Sequence, residues 1–230
     1  MELSQNIKVA VDAIVFGYSD NSLNVLLIKQ KYGLLKNKWA LVGGFVKDDE
    51  TLNAAVNREL EEEAGISVNY LEQLYTFGDD VQRDPRFRVI SVAYFALVNS
   101  TQLILKPDSD ADDAKWFPIN AIPELAFDHK TIIETAQLRL KNKLTYQPIG
   151  FDLLPSAFLF SDLENLYCTI LEKEIDRRNF RKKLLSFGII EETDKFSEKK
   201  SGRPAKLFRF NKLKYNQLTQ EGFLFEINFA

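Results

Sequence analysis

One cysteine and one histidine occur in 230 residues. A lone thiol, Cys168, can close no intrachain disulfide. Its place in the apolar run Leu166-Tyr167-Cys168-Thr169-Ile170-Leu171 marks it as a packed core thiol rather than a nucleophile. The lone imidazole, His129, stands at the entrance of a helix, where backbone partners are near, so capping or packing beside Asp128 is expected ahead of catalysis. No uninterrupted apolar run approaches a membrane span, and Met1-Glu2-Leu3-Ser4-Gln5-Asn6 lacks the basic-then-apolar pattern of a secretory signal. The cytoplasm is therefore the expected compartment. With 45% hydrophobic and 27% charged residues and a net charge of -3, the composition is that of a soluble protein long enough to build two cores.

Carboxylates, by contrast, are concentrated in one place. Gly44 is followed by Glu50 and then by Arg58-Glu59-Leu60-Glu61-Glu62-Glu63-Ala64-Gly65-Ile66. At 100° per residue, Leu52, Ala55 and Val56 share a helical face with Glu59, Glu62 and Glu63, so the face begins apolar and ends in three convergent carboxylates. Acidic side chains stacked at i, i+3 and i+4 repel one another, and more so if the apolar first turns draw them toward a core. A hard divalent cation such as Mg2+ removes that penalty, its remaining positions filled by water or phosphate oxygens. Arg58 is placed to orient a carboxylate through a bidentate pair, and Glu50 to sit at the positive end of the helix dipole.

The segment Gly44 to Ile66 resembles the Nudix box, the signature of hydrolases that cleave nucleoside diphosphates linked to another moiety, at every fixed position. The resemblance implies Glu59 and Glu63 as metal ligands, Glu62 as a further ligand or water-orienting group, and Arg58 and Glu50 as the scaffold that holds them.

Along the chain, Ile7–Phe16 and Leu23–Gln30 read as strands joined through a turn over Gly17–Ser22. A short apolar strand, Trp39–Val42, precedes the acidic helix. Further strands are expected at Leu71–Phe77, Arg88–Val98 and Lys115–Phe117, with an amphipathic helix over Asp128–Lys143. This order suggests a mixed sheet between helices, the α/β/α sandwich that the Nudix resemblance implies. Pro148, Gly150 and Pro155 then punctuate the chain and set an expected boundary between domains 1–150 and 151–230.

The two parts differ in charge. Residues 1–150 carry 16 basic and 21 acidic side chains, whereas 151–230 carry 14 and 12. All fourteen of the latter basic residues lie between Lys173 and Lys214, against six acidic ones, the footprint of a polyanion-binding surface. Ser161-Asp162-Leu163-Glu164 reads as a capping box, and Leu163, Leu166, Tyr167, Ile170 and Leu171 as the stripe of a core-facing helix. A second helix is expected from about Asp176 to Ser186, stopped at Gly188. It turns Phe180, Leu184 and Phe187 inward and shows Arg178, Asn179 and Lys182, flanked by Arg177, Arg181 and Lys183. Strands at Ile189–Thr193 and Ala205–Phe210 then frame a loop bearing Lys199, Lys200 and Arg203, which can reach a phosphate backbone or minor groove. Helix, turn, basic helix and loop make a winged-helix pattern.

Taken whole, the chain resembles the Nudix-related transcriptional regulators, bacterial repressors with an N-terminal Nudix-like effector domain and a C-terminal winged helix. Asp176-Arg177-Arg178-Asn179-Phe180-Arg181-Lys182-Lys183-Leu184 and Gly202-Arg203-Pro204-Ala205-Lys206-Leu207-Phe208-Arg209 carry the likeness, supported by Asp84-Pro85-Arg86 and Ala126-Phe127-Asp128-His129. It implies a homodimer on palindromic operator DNA and an effector that is ADP-ribose or a pentose such as arabinose. Arg83, Arg86 and Arg88, around the Asp84-Pro85 turn, are expected to hold effector phosphates through planar forks, with Gly44 close by; strand-edge salt bridges are the alternative for these arginines. Many regulators of this family have an eroded box, whereas here it is intact, which leaves Mg2+-dependent hydrolysis of ADP-ribose open beside regulation by binding.

Overall fold

A computed structural model of the chain describes residues 6–31, 33–106, 111–197 and 204–230. They form two compact units, Met1–Arg139 and Leu140–Ala230, divided within one long helix.

The first unit is built on a seven-stranded mixed sheet. Its spine is β1 (Ile7–Ser19), which pairs antiparallel with β2 (Ser22–Gln30) and parallel with β6 (Arg88–Val98). The β1–β2 turn is only two residues long: Asp20 and Asn21 both take left-handed backbone, with φ of 50° and 54°, the type I′ geometry that matches strand twist and that Asp and Asn tolerate. The expected six-residue turn is thus shorter, and both strands run further than composition suggested. β5 (Tyr70–Phe77) extends the sheet beyond β6, and β7 (Ala111–Pro118) pairs with β2.

The apolar strand expected at Trp39–Val42 is split in two. Trp39–Ala40 (β3) pairs with β2, whereas Val42–Phe45 (β4) pairs with Ala10–Ala13 of β1. β2 pairs with β1 from Phe16 onward, so the first half of β1 offers its edge to β4. The chain changes neighbours at Leu41. That crossing delivers Gly43 and Gly44 to the mouth of the acidic helix.

That helix, α1 (Leu52–Ala64), is capped by Thr51, whose hydroxyl accepts from Ala54 N–H at 3.2 Å. It ends at Gly65, whose φ of 66° suits glycine. Ala55, Val56, Leu60 and Ala64 pack with Val11, Ala13, Val15, Leu26 and Ile28 in one buried cluster. Alternate residues of the same strands, Ile14, Phe16, Val25 and Leu27, are also buried, as expected of a sheet lying between layers. The helix α2 (His129–Tyr146) buries Ile132, Ile133 and Ala136.

The second unit holds α3 (Phe160–Leu171), α4 (Arg177–Ser186), β8 (Ile190–Phe196), β9 (Lys206–Phe210) and α5 (Lys212–Glu221). The start of α3 corrects the expected capping box. The cap residue is Leu159, which has no side-chain oxygen, and it is Asp162 whose carboxylate accepts from Leu159 N–H at 3.1 Å. Helix α4 follows the expectation: Asp176 accepts from Asn179 N–H at 3.0 Å, and Gly188 takes a φ of 67°. Aromatic packing supplies much of the core. Phe151 stacks on Phe210 at 4.2 Å, Tyr167 meets Phe180 at 4.8 Å, and the Tyr167 hydroxyl donates to Ile149 O at 2.8 Å.

Phe158 bridges to Phe208 beside the β8–β9 ribbon. Cys168 is half-buried rather than sealed in the core, because Leu166, Tyr167 and Ile170 fill the inward stripe of α3. The chain end returns to α4, with Asp176 N–H donating to Asn228 O at 2.9 Å and Phe225 buried. Among the described residues no helix is long and apolar enough to cross a membrane.

Candidate functional site

The acidic end of α1 opens on a cavity of about 330 Å3 within the first unit. β4 supplies Gly43, Gly44 and Phe45; α1 supplies Glu59 and Glu63; the Arg83–Arg86 turn and Phe127 with His129 close it. Backbone excludes a side chain at Gly43, and at Gly44 a side chain would have to displace the Glu59 carboxylate. A Cβ on Gly43 would stand 2.2 Å from Val11 O, and one on Gly44 would stand 2.2 Å from Glu59 Oε1. Gly43 also uses its backbone, donating its N–H to Glu63 Oε2 at 2.8 Å.

Arg58 organises the carboxylates. It pairs with Glu50 through Nε and Nη2 at 3.0 and 2.7 Å, with Glu59 through Nη1 at 2.6 Å and with Glu62 at 3.1 Å, and it donates to Phe45 O at 3.2 Å. Glu50, held chiefly by the Arg58 fork, has its carboxyl lowered to about 2. Those carboxylates, Glu50 first, hold the Arg58 proton more tightly than in a free side chain. Burial pushes the Glu59 carboxyl above its ordinary value in spite of Arg58, so a cation in the cavity would relieve a real cost of desolvation.

Glu59 and Glu63 are buried in this wall, but Glu62 is not. Three convergent carboxylates were expected; Glu62 instead lies on the helix flank with its side chain 46% exposed, tied to Arg58 one turn back. Its 60° offset from Glu59 carries it toward Arg58 and away from the cavity. Among the described residues no group of three or more His, Cys, Asp or Glu side chains is assembled to hold a metal. The acidic helix itself brings two buried carboxylates, Glu59 and Glu63, to the cavity, and such a pair fits a hard cation that keeps water or phosphate oxygens in its other positions.

The three arginines expected to hold effector phosphates have different surroundings. Arg83 is buried in a fork on Asp128, at 2.9 and 2.6 Å, with Asp12 3.5 Å away. Arg86 forks onto Asp84 at 3.0 and 2.8 Å, and its guanidinium lies 5.7 Å from the Phe45 ring centre and 5.1 Å from that of Phe127. Burial raises the Asp84 carboxyl, but hydrogen bonds from Arg86 outweigh it and leave the group below its ordinary value. Arg88 donates to Gly78 O at 2.7 Å and does not line the cavity.

Sequence reasoning passed over Asp12, Phe45 and Phe127 as parts of this wall. Asp12 is buried, and Ser91 donates to it. Its burial raises the carboxyl, yet His129, Ser91 and Arg83 together hold it below the ordinary value. His129 accepts from Leu41 N–H through Nδ1 at 2.9 Å, which places its proton on Nε2, 3.4 Å from Asp12 Oδ1. The histidine has the backbone partner expected of it, on Leu41 between β3 and β4 rather than at its own helix entrance. Phe127 holds a left-handed φ of 53°, unusual for a bulky side chain; no sequence signal announces it. The Asp12 carboxylate within an apolar strand was the one legible clue.

In the second unit, α4 turns Phe180 and Leu184 inward and keeps Arg178, Asn179 and Lys182 exposed. Arg178 and Lys182 are one turn apart and form an outward ridge. The flanking cations bind back: Arg177 pairs with Glu164, Arg181 lies 3.4 Å from Glu192, and Lys183 donates to Glu226 O at 2.7 Å. Asn179 hydrogen-bonds the cap residue Asp176. Lys199, Lys200 and Arg203 of the expected wing lie outside the described residues.

A glycine-floored acidic cavity on a mixed sheet, and a basic helix packed on a helix and a two-stranded ribbon, define a Nudix domain joined to a winged helix. Comparison with known proteins agrees. The NUDIX domain model matches residues 7–136 and the NrtR DNA-binding winged helix domain model residues 150–210. Over 206 residues, 88% of this chain and 81% of the other, the chain is 35% identical to the ADPR responsive transcriptional repressor NtrR of Acinetobacter baylyi. It superposes on NrtR of Shewanella oneidensis, crystallised with a 27mer DNA, with a TM-score of 0.79 at 29% identity, covering 95% of this chain and 98% of that one. Its Nudix part is 43% identical over 136 residues to the ADP-ribose pyrophosphatase of Methanocaldococcus jannaschii, covering 58% of this chain and 75% of that protein. The chain belongs to the NrtR family of Nudix-domain, winged-helix proteins. Nudix hydrolases generally use divalent metals.

Proposed function

We propose that the protein is a cytoplasmic transcriptional repressor that binds operator DNA through residues 151–230 and senses ADP-ribose in residues 1–150. The observation that carries this reading is the outward Arg178–Lys182 ridge on α4, whose inward face is fixed by buried Phe180 and Leu184. A helix docked in this way can present its polar face to a major groove. ADP-ribose is favoured over a bare pentose such as arabinose because both the Acinetobacter repressor and the Methanocaldococcus enzyme carry it in their names. The acidic cavity suits a diphosphate carried with Mg2+, Glu59 and Glu63 holding the cation and Arg86 standing at the rim. Two half-sites of an operator require an isologous homodimer.

Ligand binding lowers operator affinity if ADP-ribose prefers a conformation that DNA does not. Duplex from the intergenic region upstream of the protein's own gene, titrated by fluorescence anisotropy, tests the reading. Arg178→Ala with Lys182→Ala should abolish salt-dependent binding while the melting profile stays that of the wild type; unchanged binding would overturn it.

The intact acidic helix and the 43% identity to an ADP-ribose pyrophosphatase favour a second reading, hydrolysis of ADP-ribose to AMP and ribose 5-phosphate. A bound divalent cation supplies Lewis acidity, polarising the pyrophosphate and lowering the pKa of an attacking water. For this reading Glu59 and Glu63 hold the cation and Arg58 fixes Glu59. Turnover lost in Glu63→Gln would support it, and no turnover in Mg2+ would remove it.

A further inference from the structure

A second cavity, of about 230 Å3, lies wholly within the C-terminal unit, where the first turn of α3 meets α4 and β9. Phe160 and Phe208 line it, and three cations converge on it from two elements: Arg177 and Arg181 of α4 and Lys206 of β9. The guanidinium of Arg181 lies 5.8 Å from the Phe160 ring centre and 5.3 Å from that of Phe208, and that of Arg177 lies 5.7 Å from Phe160. Cation–π contact with the rings holds the guanidinium groups in place while leaving N–H groups to donate. Leu159 and Ser161, beside Phe160, bring the N-terminal turn of α3 to the same wall, where the helix dipole is positive.

Three cations drawn together need counter-charge: Glu164 pairs with Arg177, and Glu192 on β8 serves the other two. Its Oε2 lies 3.1 Å from Lys206 Nζ and its Oε1 lies 3.4 Å from Arg181 Nη2, all three side chains being close to half-exposed. Half-exposed ion pairs of this length are weak. A stronger anion bringing its own released counterions can replace the carboxylate at little cost.

We propose that this cavity seats one backbone phosphate of duplex DNA, and that Glu192 is the built-in anion which the phosphate displaces from Arg181 and Lys206. The inference rests on the DNA-binding reading above and adds a residue that restrains it. Where a duplex lies in register, the phosphate reaches the cavity and the exchange proceeds. Where it does not, Glu192 keeps two cations neutralised, and loose association on arbitrary sequence is suppressed.

The test uses the full chain, duplex from its own upstream intergenic region, and random duplex of the same length, with affinity measured across a range of salt. Glu192→Gln should tighten binding of random duplex several-fold at low salt and steepen the dependence of log Kd on log salt by about one ion. Lys206→Ala should weaken the upstream duplex and make its slope shallower by about one, with Lys206→Arg restoring it, while random duplex, on which Glu192 already neutralises Lys206, changes little. If Glu192→Gln leaves random-duplex affinity unchanged or weaker, or Lys206→Ala leaves the upstream slope unchanged, while Arg178→Ala with Lys182→Ala loses binding, the phosphate seat is overturned and the basic-helix reading stands. Absence of any duplex binding by the wild type overturns both.

Discussion

Replacing Asp128 by Asn isolates the buried charge network that shapes one wall of the Nudix cavity. The Arg83 side chain is only 4% exposed and gives its fork to Asp128, whose own side chain is 23% exposed. Asn keeps the shape but removes the charge and turns an amide donor toward a guanidinium that is itself all donors. Leaving a buried charge without its partner costs about 3–5 kcal/mol. The partial exposure of Asp128, and Asp12 remaining 3.5 Å from Arg83, reduce this to about 2–3 kcal/mol. Urea unfolding followed by tryptophan fluorescence reads the loss where it occurs, because both tryptophans, Trp39 and Trp116, belong to the first unit. With an m-value of about 2 kcal/mol/M the midpoint should fall by about 1 M. The double replacement Arg83→Met with Asp128→Leu should recover part of the loss, since it removes both members of the fork while Asp12 keeps Ser91 and His129 as partners. A midpoint unmoved by Asp128→Asn, or a double variant worse than the sum of the single ones, would show that the Arg83–Asp128 pair does not hold this wall.

Two further outcomes follow from the acidic helix. Glu50 has its carboxyl lowered from an ordinary 4.5 to about 2, so its contribution to stability is complete above the ordinary value and is lost as pH falls from there toward 2. In Glu50→Gln, the stability gap from the wild type should therefore close across that window, as followed by urea midpoints at successive pH values. Gly44→Ala places a Cβ 2.2 Å from Glu59 Oε1 and 2.7 Å from its Cδ; it should cost about 1–3 kcal/mol of stability and weaken ADP-ribose binding in Mg2+ when measured by calorimetric titration.

Much of the fold was legible because its signals are local. Thr51 before the helix and Gly65 after it bracket α1, Asp176 and Gly188 bracket α4, and both helices carry clear apolar faces. What could not be read depends on distant pairing. The split of Trp39–Val42 into two strands follows from which stretch of β1 is left open by β2. Helix α5 was missed because none of its residues is buried, so no apolar stripe exists to find, although Asn211 caps it and Gly222 ends it.

The cavity divides in the same way. Glu59 and Glu63 follow from helical periodicity, whereas Glu62 leaves the expected cluster because Arg58 competes for it. Arg83 reads as a ligand fork in sequence, but Asp128, 45 residues away, takes its donors. The strained backbone of Phe127 has no sequence signature at all.

The most direct test measures the affinity of the full-length protein for its upstream duplex, by anisotropy at fixed salt, as ADP-ribose is added. Tight, salt-dependent binding that ADP-ribose weakens by about tenfold or more is expected, the scale of an ordinary coupling between sites. Duplex affinity that stays the same when the cavity is saturated with ADP-ribose would contradict it.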